Sequence, residues 1–274
     1  MKRWVACFCS EKHAVLLALG AALLALPACS ADKPLNPSFP FTLDAAREDL
    51  QRMRDEPRPL ERPVVVIAGY LDPGIAVGRL RRRIADAFDE PEMVLTISLF
   101  GDDDFDECRE RVIKRVQRQF PSDDPTETVE VDVIGVSMGG LVALDASIPR
   151  EGERRLRIAR LFTIATPFRG ARLAGFPTLD DRVRDMRRGS EFLQSLDNGH
   201  APPQYTIYPY VRLRDRIVGA GNAAPEGATA WWVANIPFEF AHIKAYRDPR
   251  ILADIARRLR GEEPFTTDPP APLP

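Results

Sequence analysis

The sequence has few cysteines, few histidines and almost no net charge. Its 274 residues include four cysteines and three histidines, and the net charge is −2. A charge so close to zero gives no general attraction to nucleic acid, so nucleic acid is not an expected partner. Long apolar runs are also lacking. Ala14–Leu26, with thirteen residues, is too short to span a bilayer comfortably.

The first thirty residues are typical of an export signal. The basic residues Lys2 and Arg3 lie near the start of the chain, and the apolar run ends in Leu26-Pro27-Ala28-Cys29. This ending resembles the processing site of bacterial lipoproteins, in which the cysteine becomes the lipidated first residue. The resemblance implies a signal peptide over 1–28, a lipid anchor on Cys29 and a tether over 29–42. An ordinary secretory signal is the alternative.

A lipid anchor implies a place in the bacterial cell envelope, with the membrane as a partner. Ser30 follows Cys29, where some inner-membrane lipoproteins have a retention aspartate, so the outer membrane is favoured. A secreted or periplasmic protein is the alternative. After processing and lipidation, Cys108 is the one remaining free cysteine, which excludes an intramolecular disulfide. A chain of this length can bury a sufficient core without one.

One domain is predicted over residues 43–262. Buried strands alternate there with helical patterns, which favours an α/β architecture with a mostly parallel central sheet. The strands are predicted at 64–68, 93–100, 129–136, 158–165, 205–213 and 229–236. The proline-rich residues 263–274 are predicted to form a disordered tail.

The most informative stretch is Val129–Ile148, where an apolar strand leads through Gly135-Val136-Ser137-Met138-Gly139 into a helix. A serine on such a turn stands clear of the backbone, and the flanking glycines let strand and helix pass closely. The helix N-terminus offers free N–H groups to a developing oxyanion. The stretch resembles the nucleophile elbow of α/β hydrolases of the lipase and esterase kind. A structural turn rich in glycine is the alternative.

The resemblance implies an α/β-hydrolase fold, with helices on both faces of the sheet and a catalytic triad in the order serine, acid, histidine. Ser137 is then the nucleophile. His242 is the histidine that follows the last predicted strand, so it is the expected base. Asp215 follows the preceding strand, in a turn that resembles the D-x-V-V turn of lipases, and is the expected acid. Asp180 or Asp181 is the alternative acid.

The resemblance also implies an oxyanion hole made of two backbone N–H groups. One is that of Met138, directly after the serine. The other comes from the loop after the first strand, where Ala68-Gly69 stands in place of the family's His-Gly pair. The donor is then Tyr70, or Leu71 as the alternative. Thr166–Gly170 resembles the T-P-x-x-G turn of lipases, which faces the nucleophile.

Residues of about 172–200 interrupt the alternation of strands and helices. Insertions at this position commonly form a cap over a hydrolase active site, so a small helical cap is expected after the strand that follows the nucleophile helix. Its apolar residues would line an acyl pocket. A pair of surface helices is the alternative.

These features predict a serine hydrolase that cleaves carboxylic esters through an acyl-enzyme intermediate. A small-molecule or lipid ester is the expected substrate, and lipid-like acyl esters are favoured. Neither a metal nor an organic cofactor is expected. An acyltransferase or a thioesterase uses the same triad, and a non-catalytic envelope lipoprotein could retain the fold as a binding scaffold.

Overall fold

The computed structural model describes residues 35–199 and 205–274. The predicted signal peptide over 1–28 and the lipidation site Cys29 lie outside the described residues. No helix in the described part of the chain is long and apolar enough to cross a membrane.

Six strands form one sheet. They are β1 (Val64–Ile67), β2 (Val94–Ile97), β3 (Val131–Val136), β4 (Ile158–Ile164), β5 (Thr206–Arg212) and β6 (Trp231–Val233). Their spatial order is β2-β1-β3-β4-β5-β6, and each neighbouring pair is parallel. The predicted parallel sheet is therefore confirmed.

The helices of the described residues are α1 (Leu43–Asp55), α2 (Ile75–Ala85), α3 (Phe105–Gln119), α4 (Met138–Ser147), α5 (Asp181–Asp185), α6 (Glu191–Gly199), α7 (Ala241–Ala245) and α8 (Pro249–Leu259). Short 3₁₀ turns occur at Pro91–Met93, Arg172–Gly175 and Ala220–Asn222. Helix α4 is buried over its whole length, which agrees with its lack of a polar face.

The strand residues alternate between two apolar cores, one on each face of the sheet. Val64 and Val66 pack into the core that also contains residues of α1, α2 and α8. Val65 and Ile67 pack into the core that contains residues of α3 and α4. Both faces of the sheet are thus covered by helices, as is usual for parallel sheets.

Helix α2 begins at Ile75, and the side chain of Asp72 caps its first turn. This side chain accepts hydrogen bonds from the N–H groups of Gly74 at 3.0 Å, Ala76 at 3.1 Å and Val77 at 3.0 Å. A carboxylate at this position satisfies N–H groups that the first helical turn leaves unpaired.

Residues 263–274 pack against the domain, in contrast to the disordered tail expected from the sequence. The indole N–H of Trp231 donates to Thr267 O at 3.1 Å, and that of Trp232 donates to Ala271 O at 3.0 Å. Trp231 and Trp232 lie on β6, the edge strand of the sheet, so the tail is bound to side chains of that strand.

The domain also begins earlier than residue 43. The described residues from Leu35 onward belong to the same compact unit as the sheet. The side-chain amide of Asn36 donates to Trp232 O at 2.7 Å, and Ala271 N–H donates to Ser38 Oγ at 2.7 Å. The part of the expected tether from residue 35 onward is therefore bound to β6 and to the tail.

Candidate active site

The three expected triad residues lie at the carboxyl edge of the sheet. Ser137 directly follows β3, Asp215 follows β5, and His242 lies in α7, after β6. The loops after parallel strands meet at this edge, which is where ligands bind in open α/β sheets. The sequence predicts a loop around His242, whereas the structure has a helix of five residues.

The three side chains form a hydrogen-bonded series. His242 Nε2 lies 3.1 Å from Ser137 Oγ, and His242 Nδ1 lies 2.8 Å from Asp215 Oδ2. An acceptor at Nδ1 favours the tautomer that carries its proton there, which leaves Nε2 free to accept the serine proton. The geometry is that of a nucleophile, a base and an orienting acid.

The Asp215 carboxylate is fixed by its own turn. It is buried, with 2% of its surface exposed. Its Oδ1 accepts hydrogen bonds from the N–H groups of Ile217 at 2.9 Å and Val218 at 3.0 Å. Because these bonds occupy Oδ1, Oδ2 is held toward His242.

The alternative acids make other contacts. The Asp180 carboxylate accepts hydrogen bonds from Tyr70 Oη at 2.7 Å and from Arg182 Nη2 at 2.8 Å. The hydrogen bond from Arg182 lowers the pKa of Asp180 below its ordinary value. Asp181 forms an ion pair with Arg184. Of the three acids considered from the sequence, Asp215 is the one that contacts His242.

Ser137 has a backbone conformation that is costly for a residue other than glycine, with φ 52° and ψ −121°. The flanking glycines make room for it. A Cβ atom on Gly135 would lie 2.5 Å from Gly140 Cα, and one on Gly139 would lie 2.5 Å from Ala68 O. Both spacings are shorter than any side chain tolerates, so strand and helix pass closely in the way that the motif predicts.

The end of β4 holds the backbone of this strained serine. The Ser137 N–H donates to Ile164 O at 2.9 Å, and the Thr166 hydroxyl donates to Ser137 O at 2.9 Å. The sequence predicts the turn at Thr166 but not the hydrogen bond that the threonine makes. The feature that could have indicated this bond is the position of Thr166, at the end of the strand that follows the elbow.

The loop after β1 passes beside the elbow. A Cβ atom on Gly69 would lie 3.3 Å from Ser137 Cβ. Met138 is the first residue of α4, and the first N–H groups of a helix lack partners inside it. Within residues 35–199 and 205–274, no hydrogen bond uses the backbone N–H of Met138, Tyr70 or Leu71. Both expected oxyanion donors are thus available, and so is the alternative.

The Tyr70 side chain links this loop to the segment between β4 and β5. Its hydroxyl donates to Asp180, and the Arg182 guanidinium lies 5.1 Å from the centre of its ring. Burial and the Asp180 carboxylate raise the pKa of Tyr70 above its ordinary value. The hydroxyl is therefore kept protonated, as a donor to Asp180.

Ser137 and His242 line a cavity of about 530 Å³. Its walls are mainly apolar. They include Leu71 and Ile75 from the β1 side, Leu173, Val183 and Met186 from the segment after β4, and Ile243 from α7. The segment predicted as a cap thus supplies one wall. No group of three or more residues suited to metal binding occurs among the residues described.

The parallel sheet with helices on both faces, the serine elbow after the third strand, and the acid and histidine after the last two strands agree with the arrangement that the sequence resemblance implied. The chain has an α/β-hydrolase fold. No protein-family model matches it, and no curated protein matches it.

Solved structures of three hydrolases are similar to this chain. A metagenomic carboxyl esterase has 13% identity and a TM-score of 0.49, over 75% of this chain and 77% of that one. The esterase domain of a Rhodothermus marinus protein has 14% identity and a TM-score of 0.46, over 74% and 90%. Phospholipase PlaB from Legionella pneumophila, in complex with thio-NAD, has 12% identity and a TM-score of 0.47, over 60% and 44%.

This chain therefore spans less than half of the phospholipase. Similarity of this degree gives no information about the reaction or the substrate. Any function has to be argued from the site itself.

Proposed function

We propose that the protein is a serine hydrolase that cleaves carboxylic esters, with lipid-like acyl esters as its favoured substrates. The observation that carries this proposal is the hydrogen-bonded series of Ser137, His242 and Asp215. It lies at a strained strand-to-helix turn and opens into an apolar cavity. This combination suits nucleophilic attack on an uncharged acyl group.

In the acylation step, His242 Nε2 accepts the hydroxyl proton as Ser137 Oγ attacks the ester carbonyl carbon. The N–H groups of Met138 and Tyr70 bind the oxyanion, and each such donor contributes on the order of 3 kcal/mol to the transition state. Asp215 stabilises the imidazolium. His242 then returns the proton to the alcohol, which leaves, and the acyl group stays on Ser137.

In the deacylation step, His242 removes a proton from water, which attacks the acyl carbonyl carbon. Collapse of the second tetrahedral intermediate releases the acid, and the proton returns to Ser137 Oγ. General base catalysis of this kind contributes roughly 10² to 10⁴-fold in rate. An acyl acceptor other than water would turn the same site into that of an acyltransferase.

Two features support lipid-like esters. The walls of the cavity are mainly apolar, so an acyl chain can be removed from water inside it. The expected lipid anchor on Cys29 would also hold the domain beside a membrane, as part of the bacterial cell envelope. The proposal therefore includes a membrane partner, with the outer membrane favoured.

Labelling with a fluorophosphonate probe tests the activated serine. The full chain, solubilised in detergent, is compared with Ser137→Ala and His242→Ala, and thermal unfolding checks that all three are folded. Wild type should be labelled and both variants should not. Hydrolysis of esters with graded acyl chains then measures the substrate preference. A folded wild type that is neither labelled nor active, with or without detergent, would favour the scaffold alternative.

A further inference from the structure

Two side chains of fixed charge, Asp72 and Arg247, lie among the residues that line the active-site cavity. Asp72 is already engaged, because both of its carboxylate oxygens accept hydrogen bonds from N–H groups at the start of α2. Its negative charge is also offset by the positive end of the helix dipole. Arg247 is the remaining charge, in a lining that is otherwise mainly apolar.

The guanidinium of Arg247 has no carboxylate partner within the described residues, where it forms no ion pair. Its Nε is buried and has no hydrogen-bond acceptor there. Two other arginines of this part of the fold differ in having carboxylate partners. Arg212 pairs with Glu239, and Arg250 pairs with Asp248. The terminal nitrogens Nη1 and Nη2 of Arg247 also form no hydrogen bond with the described residues and, unlike Nε, they are not buried, so an acceptor supplied by a ligand in the cavity can reach them.

The surroundings of Arg247 hold it in place. The backbone N–H of Arg247 donates to Lys244 O at 3.1 Å, and its backbone carbonyl oxygen accepts a hydrogen bond from Arg83 Nη1 at 3.0 Å. Its guanidinium lies 5.4 Å from the centre of the Tyr246 ring. The backbone is thus fixed and the side chain stacks on an aromatic ring, while the N–H groups remain available to a ligand.

We infer that Arg247 binds an anionic group of the substrate, so that the preferred substrates are acyl esters that carry a phosphate or a carboxylate. This inference rests on the proposed ester hydrolase function and adds a substrate class to it. A guanidinium presents paired N–H donors that match the oxygens of phosphate and carboxylate groups. The apolar walls take the acyl chain, and Arg247 takes the charged group.

One cavity can hold both ends of such a substrate. Ser137, His242 and Arg247 all line the same cavity of about 530 Å³. In a monoacyl glycerophosphate, six bonds separate the ester carbonyl carbon from phosphorus. Such a chain spans roughly 7 Å when extended, since three bonds of a polypeptide backbone span about 3.6 Å.

Steady-state hydrolysis of three esters with the same acyl chain tests the inference. They are a neutral monoacylglycerol, a monoacyl glycerophosphate and a monoacyl glycerate, which carries a carboxylate. All are presented in neutral detergent micelles to the full chain. The variants are Arg247→Gln, Arg247→Lys and Arg118→Gln. Arg118 is an exposed arginine in the last turn of α3 and does not line the cavity, so its variant controls for surface charge.

Arg247→Gln should raise KM for at least one anionic ester by about ten- to a hundred-fold and leave the kinetics on the neutral ester within twofold. Arg247→Lys should retain part of the preference, and Arg118→Gln should retain all of it. Added salt should raise the wild-type KM for the anionic esters and have little effect on that of Arg247→Gln. A preference for one of the two anionic esters identifies the group that Arg247 binds.

Equal losses on all three esters in Arg247→Gln, or a wild type that prefers the neutral ester, would overturn the anionic subsite and leave the ester hydrolase proposal intact. A folded wild type that cleaves none of the three esters would refute the ester hydrolase proposal, and the subsite with it. Thermal unfolding of each variant separates loss of binding from loss of the fold.

Discussion

The hydroxyl of Thr166 donates a 2.9 Å hydrogen bond to the backbone carbonyl oxygen of Ser137. Thr166 is fully buried, and Ala165, directly before it, also has a positive φ of 54°. Ser137 and Ala165, both in unfavourable conformations, thus lie at the ends of the neighbouring strands β3 and β4. The Thr166 side chain joins these two strand ends. Such conformations persist only where the surroundings hold them.

Removing this hydroxyl should weaken the positioning of Ser137, the proposed nucleophile. Thr166→Val keeps the shape of the side chain and loses the hydrogen bond, so we expect a loss of about 1 kcal/mol in stability. We also expect a fall in kcat on the order of tenfold with little change in KM, because the position of Ser137 changes and the acyl pocket does not. Thr166→Ser restores the donor and should restore kcat.

Thr163, which lies on β4 three residues before Thr166, offers a matched control. It is fully buried, and its hydroxyl has no partner among the residues described. Thr163→Val should therefore leave kcat unchanged and maintain or increase stability. Equal kinetic effects of the two valine variants would show that Thr166 does not position Ser137.

The contacts of the candidate acids predict unequal effects on turnover. Asp215→Asn would present an amide to His242 Nδ1 and favour the wrong tautomer, so we expect kcat to fall on the order of 10⁴-fold. Asp180→Asn should have a much smaller effect, because Asp180 contacts Tyr70 and Arg182 and not His242. Ester hydrolysis measures both variants. A larger loss in Asp180→Asn would contradict the assignment of Asp215.

The stability of the domain should fall in acid because of Glu262. Burial acts to raise the pKa of this carboxylate, but hydrogen bonds from Arg52 at 2.6 Å and Arg260 at 2.8 Å outweigh it and lower the pKa to about 2. A folded pKa below the ordinary 4.5 means that the contribution is complete above about pH 4.5 and is lost as the pH falls toward 2. Its upper limit is about 3 kcal/mol.

Urea unfolding of wild type and Glu262→Gln at pH 7 and at pH 3 measures this contribution. The variant should be less stable at pH 7, and the difference should shrink at pH 3. Glu110→Gln is the control, since Glu110 and Lys114 form an exposed pair on α3 that contributes little at any pH. A difference that stays constant between the two pH values would exclude Glu262 as the source.

Deletion of residues 264–274 should destabilise the domain. It removes the acceptors of both indole N–H groups on β6 and the ring of Phe265, which stacks on Phe41 with the ring centres 3.4 Å apart. We expect a loss of at least about 3 kcal/mol, at roughly 1 kcal/mol per hydrogen bond plus the lost burial. Thermal unfolding and a red shift of tryptophan fluorescence measure it. Unchanged unfolding in the deletion variant would show that the tail adds no stability.

The sequence predicted the centre of the fold well because the strands there are apolar on both faces. Val64–Ile67 and Val131–Val136 are runs of buried, mostly β-branched residues that need no knowledge of the partner strand. The elbow was equally predictable from the sequence. Close backbone contacts require glycine on both sides of Ser137, and this requirement is visible as the G-x-S-x-G spacing. The order of the triad candidates followed from their positions relative to the strands.

The rest depends on contacts between residues that are distant in sequence. Helix α7 has only five residues, which is too short for an apolar period to be visible. The tail is rich in proline and resembles a disordered segment, and its order comes from Trp231, Trp232 and Asp254, which lie elsewhere in the chain. The free guanidinium of Arg247 is apparent only once the partners of its neighbours are known.

The bonds that join Asn36 and Ser38 to β6 and to the tail also make a mechanical connection. The chain near residue 35 is therefore joined to β6, the edge strand of the sheet, and the loop that leaves this strand leads to His242. A lipid on Cys29, as proposed, would hold the domain through this edge strand.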